Sequence, residues 1–317
     1  MNTTGNHNKT SVKELKTDNR KAITFLIFPA VILSVGLPLS NAENIFLWVV
    51  SQALLGIFFF QCFIFLHETG HYSFFRNKWM NKITGHLCGV ISFIPFTSWV
   101  AIHNLHHKWT GYRDKDPTTE GTVSPVFSLP VKWLINISWI TFFPLFTIGY
   151  RFGNYWSPGK LKKHLPSDKL KIIRINQLLI VLIYIVVFSL GGKWLLIHAG
   201  LAYYISLAIS DIIILSQHSH IDIPLAGDEQ VKPMSYRDQV QYTRSLRTVT
   251  FIEKYFLLNF NLHELHHAYP GIPAYELHNI NEPTPNKRAV LQYLRKAKKM
   301  SGIMFVFNTT KNSGIEI

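Results

Sequence analysis

Eight of the fifteen histidines lie in three short boxes: His67-Glu68-Thr69-Gly70-His71, His103-Asn104-Leu105-His106-His107 and His263-Glu264-Leu265-His266-His267. Positions i, i+3 and i+4 share one face of a helix, so each box presents two or three imidazoles together. Neutral imidazole is a ligand for iron, copper or zinc. A further pair, His218 and His220, ends the apolar run before it. One H-x-x-x-H pair alone says little. Three boxes of matching spacing in one chain are hard to obtain by chance, and they predict a metal site. A zinc ion takes about four ligands, so eight or nine histidines are too many for one ion. Two ions with four or five nitrogens each fit the count. His7, His164, His198 and His278 are isolated and read as ordinary surface or core residues; His86 is left open.

The boxes must be held by something, and the composition says what. Charged residues are 16% of the chain and hydrophobic ones 48%, against about 25% charged in soluble domains. Apolar runs cover residues 22–39, 45–66, 175–192 and 194–215. Each approaches the ~20 residues that cross a hydrocarbon core. Weaker stretches, 83–102 and 126–150, contain internal Pro or Gly. If the four strong runs pair as two hairpins, 31 of the 32 Lys and Arg fall on one side. The positive-inside rule then places both termini and the middle loop in the cytoplasm. The net charge of +14 is thus explained by topology and attraction to anionic lipid, and no nucleic-acid motif is present. Two cysteines, Cys62 and Cys88, exclude a disulfide framework.

Boxes that form one site must lie on one membrane face, which requires an even number of crossings between any two of them. The stretches 83–102 and 126–150 are therefore expected to lie half-inserted on the cytoplasmic face. The predicted fold is an all-α integral membrane domain over 22–317. Four transmembrane helices form two hairpins under a helical cytoplasmic cap, 67–174 and 216–304, which carries the boxes. Residues 1–21 form a cytoplasmic leader and 305–317 a flexible tail. Ser40-Asn41-Ala42 would suit signal cleavage, but the polar leader is long for that.

The constellation resembles the membrane fatty acid desaturase/hydroxylase family, with its H-x3/4-H box and two H-x2/3-HH boxes. The run His266-His267-Ala268-Tyr269-Pro270-Gly271-Ile272-Pro273-Ala274-Tyr275 is similar to the HH-x-x-P-x-x-P-x-Y tail of many members. Glu68 departs from the Asp common in some subgroups. The resemblance implies two non-heme irons and O2 as co-substrate. It implies the ligands His67, His71, His103, His106, His107, His263, His266 and His267, with His218, or in competition His220, as the additional one. It implies an acyl-lipid or acyl-thioester substrate, with two electrons from a separate ferredoxin or cytochrome b5-like carrier and its reductase. A bacterial inner membrane with a cytoplasmic site is the expected setting. Glu68, Asp116 (or Asp114), Asp211 and Glu264 are candidates to brace the ligands. Three alternatives stay open: lipid, carotenoid or alkane hydroxylation on the same metals; a zinc protease, because two boxes also read H-E-x-x-H; and a metal carrier.

Overall fold

The computed structural model describes residues 12–123, 125–307 and 317. It is mostly helical. Helix α1 (Asn19–Leu39) is capped by Asp18, which accepts from Arg20 N. Helix α2 (Ile45–Gly70) is capped by Asn44, which accepts from Phe46 N and Leu47 N. It continues past the apolar run and carries the first box on its last turn. Helices α3 (Lys78–Ser92) and α4 (Phe96–Trp109) meet at 101°. Phe93, at φ +53°, ends α3, and its N–H and that of Ile94 bond back to Val90 O and Gly89 O. A second bent pair joins α5 (Leu129–Ile140) to α6 (Leu145–Arg151) and a π-helical turn ending at Trp156, at 114°. Helix α7 (Pro158–His164) leads into α8 (Ser167–His218). Short helices α9 (His263–Ala268), α10 (Ala274–Leu277), α11 (Val290–Ala297) and α12 (Gly302–Val306) follow a long irregular segment.

Helices α1, α2 and α8 are long and apolar enough to cross a bilayer, and each bent pair would also pass as one broken span or re-entrant loop. The expected runs 175–192 and 194–215 are two helices that join at a kink at Gly191, within the 52-residue stretch written here as α8. Tyr184 Oη donates to Val90 O and Tyr203 Oη to Ser92 O. A straight helix would separate positions 184 and 203 by about 28 Å. Both reach the same turn, so α8 bends sharply between them. Buried Gln52 ties α2 to α8, donating to His198 O and accepting from Ala202 N. In an apolar bundle such paired polar groups fix the register of neighbouring helices.

Two expectations change. The chain is not purely helical: Leu246–Arg247 pairs in parallel with Arg288–Ala289. The tail does not begin at 305, because Phe305 and Val306 are buried in α12. Phe305 stacks on Trp139 at 4.3 Å, and Ile303 N donates to Asn136. The last residues of the leader are also tied down: Thr17 bonds Ser73 O, and Asp18 N bonds the Tyr275 hydroxyl. Residues 1–11 and 308–316 lie outside the described part.

Candidate metal centre

The three boxes arrive from three directions. The end of α2 supplies His67 and His71, α4 supplies His103, His106 and His107, and α9 supplies His263, His266 and His267. His218 is the last residue of α8. All are buried except His71 and His218, which are half-buried. Their ring nitrogens gather into two groups, His67–His71–His103–His266 and His106–His218–His263–His267. Within each group one ring nitrogen per residue lies within 4.8 Å of the others. His107 Nε2 sits 3.1 Å from both His103 Nε2 and His266 Nε2, so it joins the first group. His220 joins neither. It bonds Met304 O and stacks on Phe305, which points the candidacy to His218.

The tautomers explain the convergence. His67 Nδ1 donates to Glu68 at 3.0 Å, His106 Nδ1 to Asp116 at 2.6 Å, His218 Nδ1 to Tyr242 O at 3.1 Å and His267 Nδ1 to Gln239 Oε1 at 3.0 Å. Each bond leaves Nε2 with its lone pair, aimed inward. His67 Nε2 and His267 Nε2 have no protein partner. Within the groups, Nε2 atoms approach one another to 3.0–3.1 Å. For His218, whose Nδ1 donates to Tyr242 O, the Nε2 lone pair faces His263 Nε2 at 3.0 Å, a gathering of donor atoms that a cation would hold. The donor sets therefore fit two metal ions, the first with five imidazoles and the second with four.

Burial, with the neighbouring imidazoles adding to it, holds His263, His266 and His267 well below the ordinary histidine range. They are neutral at pH 7, the form that ligates. Burial alone would raise Asp116, but His106 and the Thr118 N–H outweigh it and keep the carboxylate ionised.

Of the residues expected to brace the site, Glu68 and Asp116 each bond an imidazole. Glu68 also accepts from Ala274 N, tying α2 to the tail of the third box. Asp114 instead caps Ala226 N and Gly227 N. Glu264 accepts from Ser245 N and Asn286 N and touches no imidazole; it anchors the loops around α9. Asp211 accepts from Thr147 N at 2.5 Å, so it joins α6 to α8 rather than orienting a ligand. The sequence gives no hint of Gln239. It is fully buried, and its amide spans the site, donating to His107 O while accepting from His267. Arg244 is equally hidden in the sequence and gathers the carbonyls of Ser216 and Ser219 around the end of α8.

Trp99 forms one wall, stacked on His103 at 4.2 Å. A small cavity lined by Phe63, Trp99, Tyr150, Phe260 and both groups of imidazoles lies against the site. It shares Thr118, Thr122, Phe146, Tyr150 and Val306 with a larger apolar cavity of about 480 Å3 between α5, α6 and α12.

Residues 43–292 match the fatty acid desaturase family model. The chain belongs to the fatty acid desaturase family. Similar relatives include a chloroplastic sn-2 acyl-lipid omega-3 desaturase (ferredoxin) of Helianthus annuus, 25% identical over 87% of this chain and 63% of that protein. An sn-1 acyl-lipid omega-3 desaturase (ferredoxin) of Nostoc sp. (strain 36) is 26% identical over 84% and 76%. An endoplasmic-reticulum omega-3 fatty acid desaturase of Vigna radiata is 24% identical over 82% and 70%. The chain thus spans under two thirds of the first relative and about three quarters of the second. The family match extends over all three boxes, His218 and the Gln239 brace.

One consequence concerns Asp116. In Asp116→Asn the acceptor at His106 Nδ1 is weakened and the tautomer freed. Metal affinity or turnover is expected to fall about 10–100-fold, the usual effect of losing such a brace. Asp114→Asn, which touches no imidazole, is expected to stay within a few-fold. Metal titration and turnover of both variants check this, and equal effects would reject the distinction.

Proposed function

We propose that this protein is a membrane-bound, non-heme di-iron desaturase that places a double bond in an acyl-lipid chain. The observation that carries the reading is nine imidazoles in two convergent groups at the end of an apolar cavity, in a chain of this family. The metal ligands are His67, His71, His103, His107 and His266 for one ion, and His106, His218, His263 and His267 for the other. When bound, such a metal pair supplies the oxidation of two adjacent methylene groups, in which one O2 and two electrons, with two protons, yield the alkene and two waters.

The chain's own residues do the rest. The acyl chain runs from the larger cavity past Phe146, Tyr150 and Val306 to the imidazoles. A saturated chain has no polar handle at its middle, so depth of insertion has to set which carbons react. Lys160 and Asn154 give the larger cavity polar groups, and we place the carbonyl end of the substrate beside them. Phe63, Trp99 and Phe260 keep water from the reacting carbons. The four-span arrangement follows if the bent pairs are re-entrant and α8 crosses twice, and the one-sided positive charge is our ground for proposing a cytoplasmic site. The relatives' names include chloroplast and endoplasmic-reticulum proteins, so the bacterial inner membrane gains no support from them. Two relatives are named for ferredoxin, and a ferredoxin is the electron donor we propose.

The protease alternative loses its general base. Glu264 is bound to Ser245 and Asn286, and Glu68 to His67 and Ala274. A fatty-acid profile of a host expressing this chain, beside the His267→Ala variant, tests the proposal. A new alkene found only with the intact chain is the expected result. A hydroxylated product would move the reading to oxygenation. Purified protein holding zinc and hydrolysing peptides, with no lipid product, would overturn it.

A further inference from the structure

A third cavity, of about 400 Å3, has no part in the reading above. It lies on the outside of the bundle, where α3 and α4 meet the first turns of α8. Its floor is apolar, with Val100, Ala101 and Ile173. Its rim carries two cations, Lys82 and Lys169, and no carboxylate is among its lining residues. Lys82 also lies over the Trp79 ring, 5.1 Å away. Beside the rim the helices present apolar side chains outward: Trp79, Ile83 and Leu87 of α3, and Ile172 and Ile175 of α8, are each more than half exposed. Cations around a concave apolar floor, flanked by apolar helix faces and an exposed Trp, match the headgroup level of a bilayer.

We infer that this groove binds an anionic membrane phospholipid. The phosphodiester lies between Lys82 and Lys169, and the acyl tails run along the exposed faces of α3 and α8. Charge complementarity selects an anion, and the concavity with its flanking apolar faces selects a lipid over a flat protein partner. The groove also reaches Tyr72 and Asn104, which adjoin His71 and His103 in sequence. The lipid therefore braces the ends of α2 and α4 without entering the substrate cavity, and the inference does not rest on the desaturase reading.

The test uses the full-length chain, purified in neutral detergent and stripped of lipid. Phosphatidylglycerol or phosphatidylcholine is added back in mixed micelles, and bound lipid is counted by native mass spectrometry. The expected result is one retained phosphatidylglycerol per chain, a higher Tm, and no comparable effect of phosphatidylcholine. Lys82→Gln/Lys169→Gln is expected to weaken retention about tenfold or more, from two cations removed at a membrane-level phosphate. Ala101→Phe, which fills the groove without changing charge, is expected to do the same. Lys162→Gln/Lys163→Gln, an equal charge loss elsewhere, is expected to retain the lipid. Equal retention of both lipids, retention unchanged in both groove variants, or full displacement by inorganic phosphate would overturn the inference. So would a Lys82→Gln/Lys169→Gln variant that keeps phosphatidylglycerol but loses affinity for an acidic electron-carrier protein.

Discussion

The His263→Ala variant is expected to purify with one iron per chain instead of two and to form no detectable alkene. His263 Nε2 lies 3.0 Å from His218 Nε2, in the group completed by His106 and His267. Among the described residues, four imidazoles make up the donor set of that group. Removing one leaves three in a buried site, where an alanine methyl offers no replacement donor. The other group shares no residue with it, so its ion is expected to stay. His103→Ala leaves four imidazoles in its group, the number that holds the other ion, so it is expected to weaken that site without emptying it. His220→Ala should keep both ions, because that ring bonds Met304 O and stacks on Phe305. Metal analysis of the three variants, with the lipid product measured alongside, separates a ligand from a bystander. Two irons with normal turnover in His263→Ala would sink the assignment. Loss of metal in His220→Ala would return the competing candidate.

The contrast between His218 and His220 marks where the sequence stops being informative. Box spacing is a local property, set by the 3.6-residue period, so the shared helical face of His67 with His71 and of His103 with His106 and His107 was legible, but not that His106 parts from the other two into the second group. So were the helices α1 and α2, whose apolar lengths are written in consecutive residues. Asp116 was legible as one of two candidates, since a carboxylate near a box is a common partner of a ligand imidazole. Gln239 was not, because it sits in a short 3-10 helix, Asp238–Tyr242, far from every box in sequence, and reaches His107 and His267 only through the tertiary fold. Asp211 misled for the opposite reason. Its seven-residue spacing from His218 places both on one helical face, but a buried carboxylate bonds the nearest unpaired donor, and here that is Thr147 N at the start of α6. The junction of 175–192 with 194–215 depends on a single residue, Gly191. No periodicity reveals how sharply the chain bends there; the bend shows in the non-helical backbone of Gly191 and in the meeting of Tyr184 and Tyr203.

The smallest residue in the first box carries the other large expectation. Gly70→Ala is expected to lower turnover about a hundredfold while the chain still folds. A Cβ at position 70 would lie 2.1 Å from Trp99 Cζ3 and 2.8 Å from Cε3, a distance no packed carbon pair tolerates. The indole is 2% exposed, and the only space it adjoins is the small cavity against the imidazoles, so any retreat moves it within the site. It also stacks on His103 at 4.2 Å and meets the His67 and His71 rings edge-on. Overpacking of this kind costs about 1–3 kcal/mol of stability, which a chain of this size survives. The larger effect is on position: a shift near 1 Å in a group that sets the reacting geometry is worth about 10²-fold in rate. If the argument is right, the damage runs through the indole. Trp99→Leu should then restore part of the turnover of Gly70→Ala, although alone it costs activity by removing the stack on His103. That coupling is read in a double-mutant cycle on turnover, with metal content and Tm measured for each variant. Additive losses in the double variant would mean that Gly70 acts through the α2 backbone and not through Trp99. Wild-type turnover in Gly70→Ala alone would mean that the imidazole wall yields, and that the site does not depend on the close approach of α2 and α4.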